Sequence, residues 1–139
     1  MTDVKIGALT VGQTRPLTVI AGPCQLESLD HALMIASAMK EACASEGAQF
    51  IFKGSFDKAN RTSVAGKRGL GIDEGLRVME AVKAQLDVPT LTDIHNEAQC
   101  APVAEVCDVL QIPAFLCRQT DLLIAAGKTG AVINVKKGQ

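Results

Sequence analysis

The stretch from Phe50 to Gly71 holds the residue types best suited to binding a small anion. An apolar run, Phe50-Ile51-Phe52, ends abruptly in a polar loop with five cations (Lys53, Lys58, Arg61, Lys67, Arg68) against one anion, Asp57. Asn60, Thr62 and Ser63 add neutral hydrogen-bonding groups beside Arg61. A guanidinium grips phosphate through two parallel charge-assisted bonds and an ammonium acts as a point charge, so the set suits a phosphorylated ligand. A basic loop is more often a solvated surface. Against that, the segment from Gly54 to Ile72 is too long for an ordinary connection. It also starts where a strand pattern ends, which is where α/β proteins place ligands.

Other reactive residues follow short apolar runs in the same way. Cys24 lies beyond Leu17–Ala21 and the stop Gly22-Pro23; Asp93 and His95 lie beyond Pro89–Thr92. Arg118 and Gln119 follow Val109–Ile112 and its stop at Pro113, while Lys136 and Lys137 end the run 131–136. Each run reads as a buried strand. Active sites of β/α barrels are assembled from residues at the carboxyl ends of several strands.

The elements that must position these residues alternate. Val4–Ile6 and Leu9–Val11 flank Gly7 and predict a small N-terminal hairpin. Ser28 is placed to cap a helix with Leu29, Leu33, Ala36, Met39 and Cys43 on its apolar face, and Gly47 to end it. Gln49–Lys53 is the second strand of the main series. Asp73 and Glu74 open a helix whose stripe is Ile72, Leu76, Met79, Val82 and Leu86. Asn96 is expected to cap a short helix that Pro102 interrupts. Gln119 or Thr120 starts another through Leu122, Leu123 and Ala126, closed by Gly127.

Strands that alternate with helices specify a parallel α/β sheet wound with one hand. No GxGxxG or GxxxxGK[ST] is present, which lowers the nucleotide-binding open-sheet option. About five parallel strands then fit either an open sheet or an incomplete barrel, since a (β/α)8 barrel needs eight. The 139 residues suit one domain, with a hairpin over 1–16 and a partial β/α barrel over 17–139. Hydrophobic residues make up 47% and aromatics 3%, with no Trp or Tyr, so the core must come from Val, Leu, Ile and Ala. A net charge of −1 argues against nucleic acid or a membrane surface as the main partner. No run has the length of a membrane span, and no signal peptide is expected. Five cysteines without a CxxC pair read as reduced thiols in a cytoplasmic protein.

Five segments together carry a resemblance: Ala21-Gly-Pro-Cys24, Phe52-Lys-Gly-Ser-Phe-Asp-Lys-Ala-Asn-Arg-Thr-Ser63, Leu91-Thr-Asp-Ile-His95, Gln111-Ile-Pro-Ala-Phe-Leu-Cys-Arg-Gln-Thr-Asp121 and Asn134-Val-Lys-Lys-Gly-Gln139. From about Leu17 onward the chain resembles the 3-deoxy-8-phosphooctulonate (KDO 8-phosphate) synthase family. The related DAHP synthases share the Ala-Gly-Pro-Cys turn but normally have a Lys-Pro-Arg-Thr loop. The resemblance implies a cytoplasmic TIM-barrel transferase of lipopolysaccharide biosynthesis. Such an enzyme condenses phosphoenolpyruvate with D-arabinose 5-phosphate and water, and the full-length form is a homotetramer.

By motif, the resemblance puts Lys53, Ser55, Lys58, Ala114, Lys136 and Gln139 at phosphoenolpyruvate, with Lys53, Lys58, Asp93 and Lys136 as the catalytic set. Asn60, Arg61 and Ser63 would hold the pentose phosphate, and Asp93 would face the sugar. Cys24 implies the metal-dependent subclass, with a divalent ion (Zn, Fe or Mn) whose other ligands are not expected in this chain. Without the motif, Cys24 would read as a small buried residue, and Cys43, Cys100, Cys107 and Cys117 keep that reading. His95 could orient Asp93 or serve as an ordinary loop histidine. A five-strand sheet leaves two edges open, so this polypeptide alone is expected to be inactive, or else to be a non-catalytic phosphate-binding or assembly fragment.

Overall fold

The computed structural model describes residues 2–58 and 63–138. Its centre is a curled sheet of five parallel strands, an arc of barrel wall. The strands are β3 (Thr18–Ala21), β4 (Gln49–Lys53), β5 (Thr90–Asp93), β6 (Val109–Ile112) and β7 (Val132–Val135), hydrogen-bonded in that order. Four helices connect them: α1 (Leu29–Ser45), α2 (Ile72–Leu86), α3 (Cys100–Val106) and α4 (Thr120–Lys128). Sequential order in a parallel sheet puts every strand's carboxyl end on one side of the molecule. The incomplete-barrel expectation therefore holds for the described residues.

Alternation along the strands divides the interior in two. Phe50, Phe52, Leu110 and Ile112 face the helices and join Ala32, Ala36, Val78, Met79, Val82, Val103 and Leu122 in the larger core. Ile51, Leu91 and Val109 point to the inner face, where a separate cluster includes Ile6, with Leu9, Val11 and Val132 packed against it. The hairpin of β1 (Val4–Ile6) and β2 (Leu9–Val11) thus covers the amino-terminal end of the inner face. The Gln49 side chain ties the hairpin down by donating to Thr10 O at 3.0 Å and Pro16 O at 3.2 Å.

Most helix ends follow the sequence signals. Ser28 Oγ accepts from the His31 N–H at 3.2 Å, and Asn96 Oδ1 accepts from Gln99 N at 3.2 Å. Two expectations need correction. Pro102 does not interrupt α3, because it falls in the first turn, where its missing N–H has no intrahelical partner to lose. Gly127 does not close α4 either. The helix runs on to Lys128, and Gly130, at φ +75°, makes the left-handed turn after it.

Candidate functional site

The carboxyl ends of the strands converge on Lys53. Its ammonium is half-buried at the end of β4, and Asp93, Lys58, Cys24 and Lys136 all lie within electrostatic reach of it. Burial lowers the Lys53 pKa. Asp93 and Cys24 act the other way, whereas Lys58 and Lys136 reinforce the lowering. Four of the expected site residues (Lys53, Lys58, Asp93, Lys136) and the candidate thiolate Cys24 therefore share one electrostatic environment.

Close backbone approach fixes this region. A Cβ at Gly22 would collide with the carbonyl oxygen of Lys53, so only glycine lets the end of β3 lie this near β4. Leu26 N donates to Ser55 O at 2.9 Å, joining the loop after β3 to the loop after β4. Ser55 and Phe56 are fully buried, and Ser55 Oγ donates to Asp57 O at 3.0 Å. Phe56 rests on Gly75 of α2, and its carbonyl accepts from Gly71 N at 3.1 Å. These contacts make the start of the loop part of the core.

Asp57 and Arg68 form a two-pronged pair, with Nε to Oδ1 at 2.8 Å and Nη2 to Oδ2 at 2.6 Å. Arg68 is exposed, and this hydrogen-bonded pairing raises its pKa. The sequence counted Arg68 among the cations offered to a ligand. The structure gives it to Asp57, with the clip reinforced by Lys58 N donating to Arg68 O at 2.6 Å.

Asp93 ends β5 almost fully buried. Burial alone would raise its pKa, but hydrogen bonding from His95 and Ser55 and the charges of His95 and Lys53 outweigh that and hold it below the usual carboxylate value. His95 Nε2 lies 3.1 Å from Asp93 Oδ2. Ser55 Oγ has two acceptors in reach, Asp57 O at 3.0 Å and the Asp93 carboxylate, and one proton for them; with that proton on Asp57 O, Asp93 Oδ1 is buried with no hydrogen-bond partner among the described residues. Rotation of that hydroxyl toward Asp93 would exchange one acceptor for the other.

Two residues not singled out as site residues share this face. Asp93, Gln111 and Asn134 stand in register across β5, β6 and β7, and Asn134 Nδ2 donates to Gln111 Oε1 at 2.9 Å. A polar residue inside each of the apolar runs of β6 and β7 was the available signal, because a half-buried amide in a sheet interior needs a hydrogen-bond partner. Ala114 lines a concavity of about 520 Å³ with Phe115, Cys117, Arg118, Lys137 and Gly138. Arg118 makes no ion pair with Asp121 among the described residues. Ser63 is exposed, and its hydroxyl closes a local turn by accepting from Ala65 N at 3.2 Å. Asn60, Arg61 and Gln139 lie outside the described residues.

Cys24 is exposed, so its thiol is open to a ligand. No group of three or more His, Cys, Asp or Glu side chains able to hold a metal occurs among the described residues. Among the described residues, Cys24 is thus a single available donor. No helix among the described residues is long and apolar enough to cross a membrane.

An arc of β/α barrel with cations and a buried carboxylate at its carboxyl end defines a class, and residues 2–139 match the DAHP synthetase I family, to which the chain belongs. Among curated relatives, the chain is 59% identical over 136 residues to a 2-dehydro-3-deoxyphosphooctonate aldolase of Nitrobacter winogradskyi, covering 98% of this chain and 47% of that one. Proteins of the same name from Rickettsia bellii and Agrobacterium fabrum are 57% identical over 136 residues and 61% identical over 126. These cover 98% and 91% of this chain, and 50% and 45% of theirs. The chain spans about half the length of the curated relatives it matches.

Proposed function

We propose that the carboxyl end of this sheet is the phosphoenolpyruvate side of a 3-deoxy-8-phosphooctulonate synthase site, the activity of relatives named 2-dehydro-3-deoxyphosphooctonate aldolase. The supporting observation is the gathering of Lys53, Lys58, Lys136, Asp93 and Cys24 in one electrostatic environment. In the reaction, C3 of phosphoenolpyruvate bonds to the aldehyde carbon of D-arabinose 5-phosphate, water adds at C2, and phosphate leaves from the tetrahedral centre.

Within that reaction, Lys53, Lys58 and Lys136 neutralise the carboxylate and phosphate and stabilise charge that grows as the bonds rearrange. Ser55 holds the loop in place through its bond to Asp57 O. Asp93 faces the sugar or its aldehyde end and accepts from a sugar hydroxyl. Asn60, Arg61 and Ser63 hold the pentose phosphate, and Ala114 and Gln139 border phosphoenolpyruvate. Cys24 would supply one thiolate to a divalent ion, which would polarise a bound oxygen. The same reading carries a cytoplasmic location and, for the full-length enzyme, a homotetramer.

Binding by titration calorimetry tests the assignment. Phosphoenolpyruvate should bind to the wild-type chain and lose at least ~10-fold in affinity in Lys53→Met, since a buried charge-assisted bond is worth about 1.5–3 kcal/mol. Arabinose 5-phosphate should then bind in preference to erythrose 4-phosphate. The reverse preference would favour a DAHP synthase. Equal binding to wild type and Lys53→Met would reject the site.

A further inference from the structure

We propose that His95 is a positioning residue for Asp93: its ring fastens one carboxylate oxygen through Nε2 and leaves the other, without a partner among the described residues, set to accept from substrate. The proposal rests on the reading of Asp93 as a substrate-facing group, and the geometry on three sides of the imidazole supports it.

Nε2 stands 3.1 Å from Asp93 Oδ2, and the carboxylate is an acceptor, so Nε2 carries the proton. The ring plane is fixed by the buried Phe56, which meets it edge to face with centroids 5.9 Å apart and planes at 89°. The backbone on which the ring is carried is fixed as well, since His95 N donates to Gln99 Oε1 at 2.7 Å. Gln99 in turn closes the turn begun by Asn96, donating its own N–H to Asn96 Oδ1. A histidine with only a packing role would not need its ring, its backbone and its Nε2 all held toward one carboxylate oxygen. Nδ1 is buried without a partner among the described residues, so Asp93 is the ring's one polar contact there.

The carboxylate is thereby held with Oδ2 on His95 and, with the Ser55 proton on Asp57 O, Oδ1 unpaired among the described residues. An unpaired buried acceptor costs free energy, and a donor arriving with substrate would recover it. Other groups near Asp93 act on it differently. Lys53 on β4 acts through its charge, and Ser55 divides its single proton between Asp57 O and the carboxylate, so it adds to the lowering without holding Asp93 in place. Lys58, Cys24 and Lys136 are arranged around Lys53.

The test compares the whole chain with His95→Leu and His95→Gln, following the Asp93 side-chain carboxyl carbon by NMR as pH is lowered. Leucine keeps apolar contact with Phe56 but cannot donate, whereas the glutamine amide reaches about as far as Nε2 and can. The expected result is a raised Asp93 midpoint in His95→Leu and a midpoint returned toward wild type in His95→Gln. An unchanged midpoint in folded His95→Leu, or a glutamine variant raised as far as leucine, would overturn the proposal. Should leucine prevent folding, the glutamine variant against wild type decides, since loss of the low midpoint there overturns it too. The titration contains no substrate, so its failure leaves the phosphoenolpyruvate assignment standing, and failure of phosphoenolpyruvate binding leaves the titration unaffected.

Discussion

Replacing Gly75 with alanine sets two well-defined effects against each other. Gly75 lies inside α2, where alanine is intrinsically better by about 1 kcal/mol, so helix propensity alone predicts a more stable protein. However, the new Cβ would overlap Phe56 Cβ and approach Phe56 Cα and Cγ to 3.4 Å each. A Cβ does not swing away when the side chain changes rotamer, so the backbone at Phe56 or at α2 must move. Phe56 is fully buried between α2 and His95, its own carbonyl accepts from Gly71 N, and Ser55 Oγ holds the carbonyl of the next residue, Asp57. Overpacking of this kind costs typically 1–3 kcal/mol, here toward the upper end because the obstacle is next to backbone. The net expectation is a loss of about 2 kcal/mol. At a urea slope of about 1 kcal/mol/M, that lowers the midpoint by roughly 2 M. Gly127, in α4, is the control. Nothing lies within 4 Å of its would-be Cβ, so Gly127→Ala should stabilise by about 0.5–1 kcal/mol. Equal gains from both substitutions in urea unfolding would refute the view that Phe56 is wedged against α2.

Three further expectations can be checked separately. Asp108 accepts from Lys83 Nζ at 2.9 Å and from Thr90 N at 2.9 Å, so Asp108→Ala should cost about 1–3 kcal/mol in urea unfolding by orphaning a buried N–H; no loss would contradict this. Asp93 has a folded-state pKa below its ordinary 3.8, so its stabilising contribution is present above that value and fades as pH falls through the folded one. The stability advantage of wild type over Asp93→Asn should therefore shrink between about pH 5 and about pH 3, and a constant difference would contradict the shift. Among the thiols, Cys24 is exposed, while burial pushes Cys107 up to about 12. Brief alkylation followed by peptide mass analysis should modify Cys24 first and Cys107 only after unfolding.

Local chemistry made much of the fold legible. The hairpin followed from Gly7 between two short β-prone runs, the sheet strands from apolar runs ended by Gly, Pro or charge, and the α1 start from Ser28. The misreadings came from signals whose meaning depends on position. Pro102 is tolerated because it falls in a first turn, and Gly127 because a helix can carry an interior glycine while Gly130 makes the turn. The site was legible as a set of strand-end residues, with Lys53, Asp93, Lys136 and Cys24 brought near one another as the strand pattern implied. What the sequence could not assign were the partners across the fold. Arg68 looked like a free cation until Asp57 closed on it, and Phe56 looked like one more apolar residue until it met Gly75 and His95. Gln111 and Asn134 required the inter-strand register before their amides could be seen to pair.

The central claim is that the strand ends form one anion-binding site centred on Lys53. Titrating phosphoenolpyruvate into the isotopically labelled chain and following its amide and lysine side-chain NMR signals tests this directly. The account predicts saturable shifts centred on Lys53, Ser55, Asp93 and Lys136, with the β1–β2 hairpin unaffected. Shifts confined to Lys67 and Arg68, or no saturable shift at millimolar ligand, would contradict it.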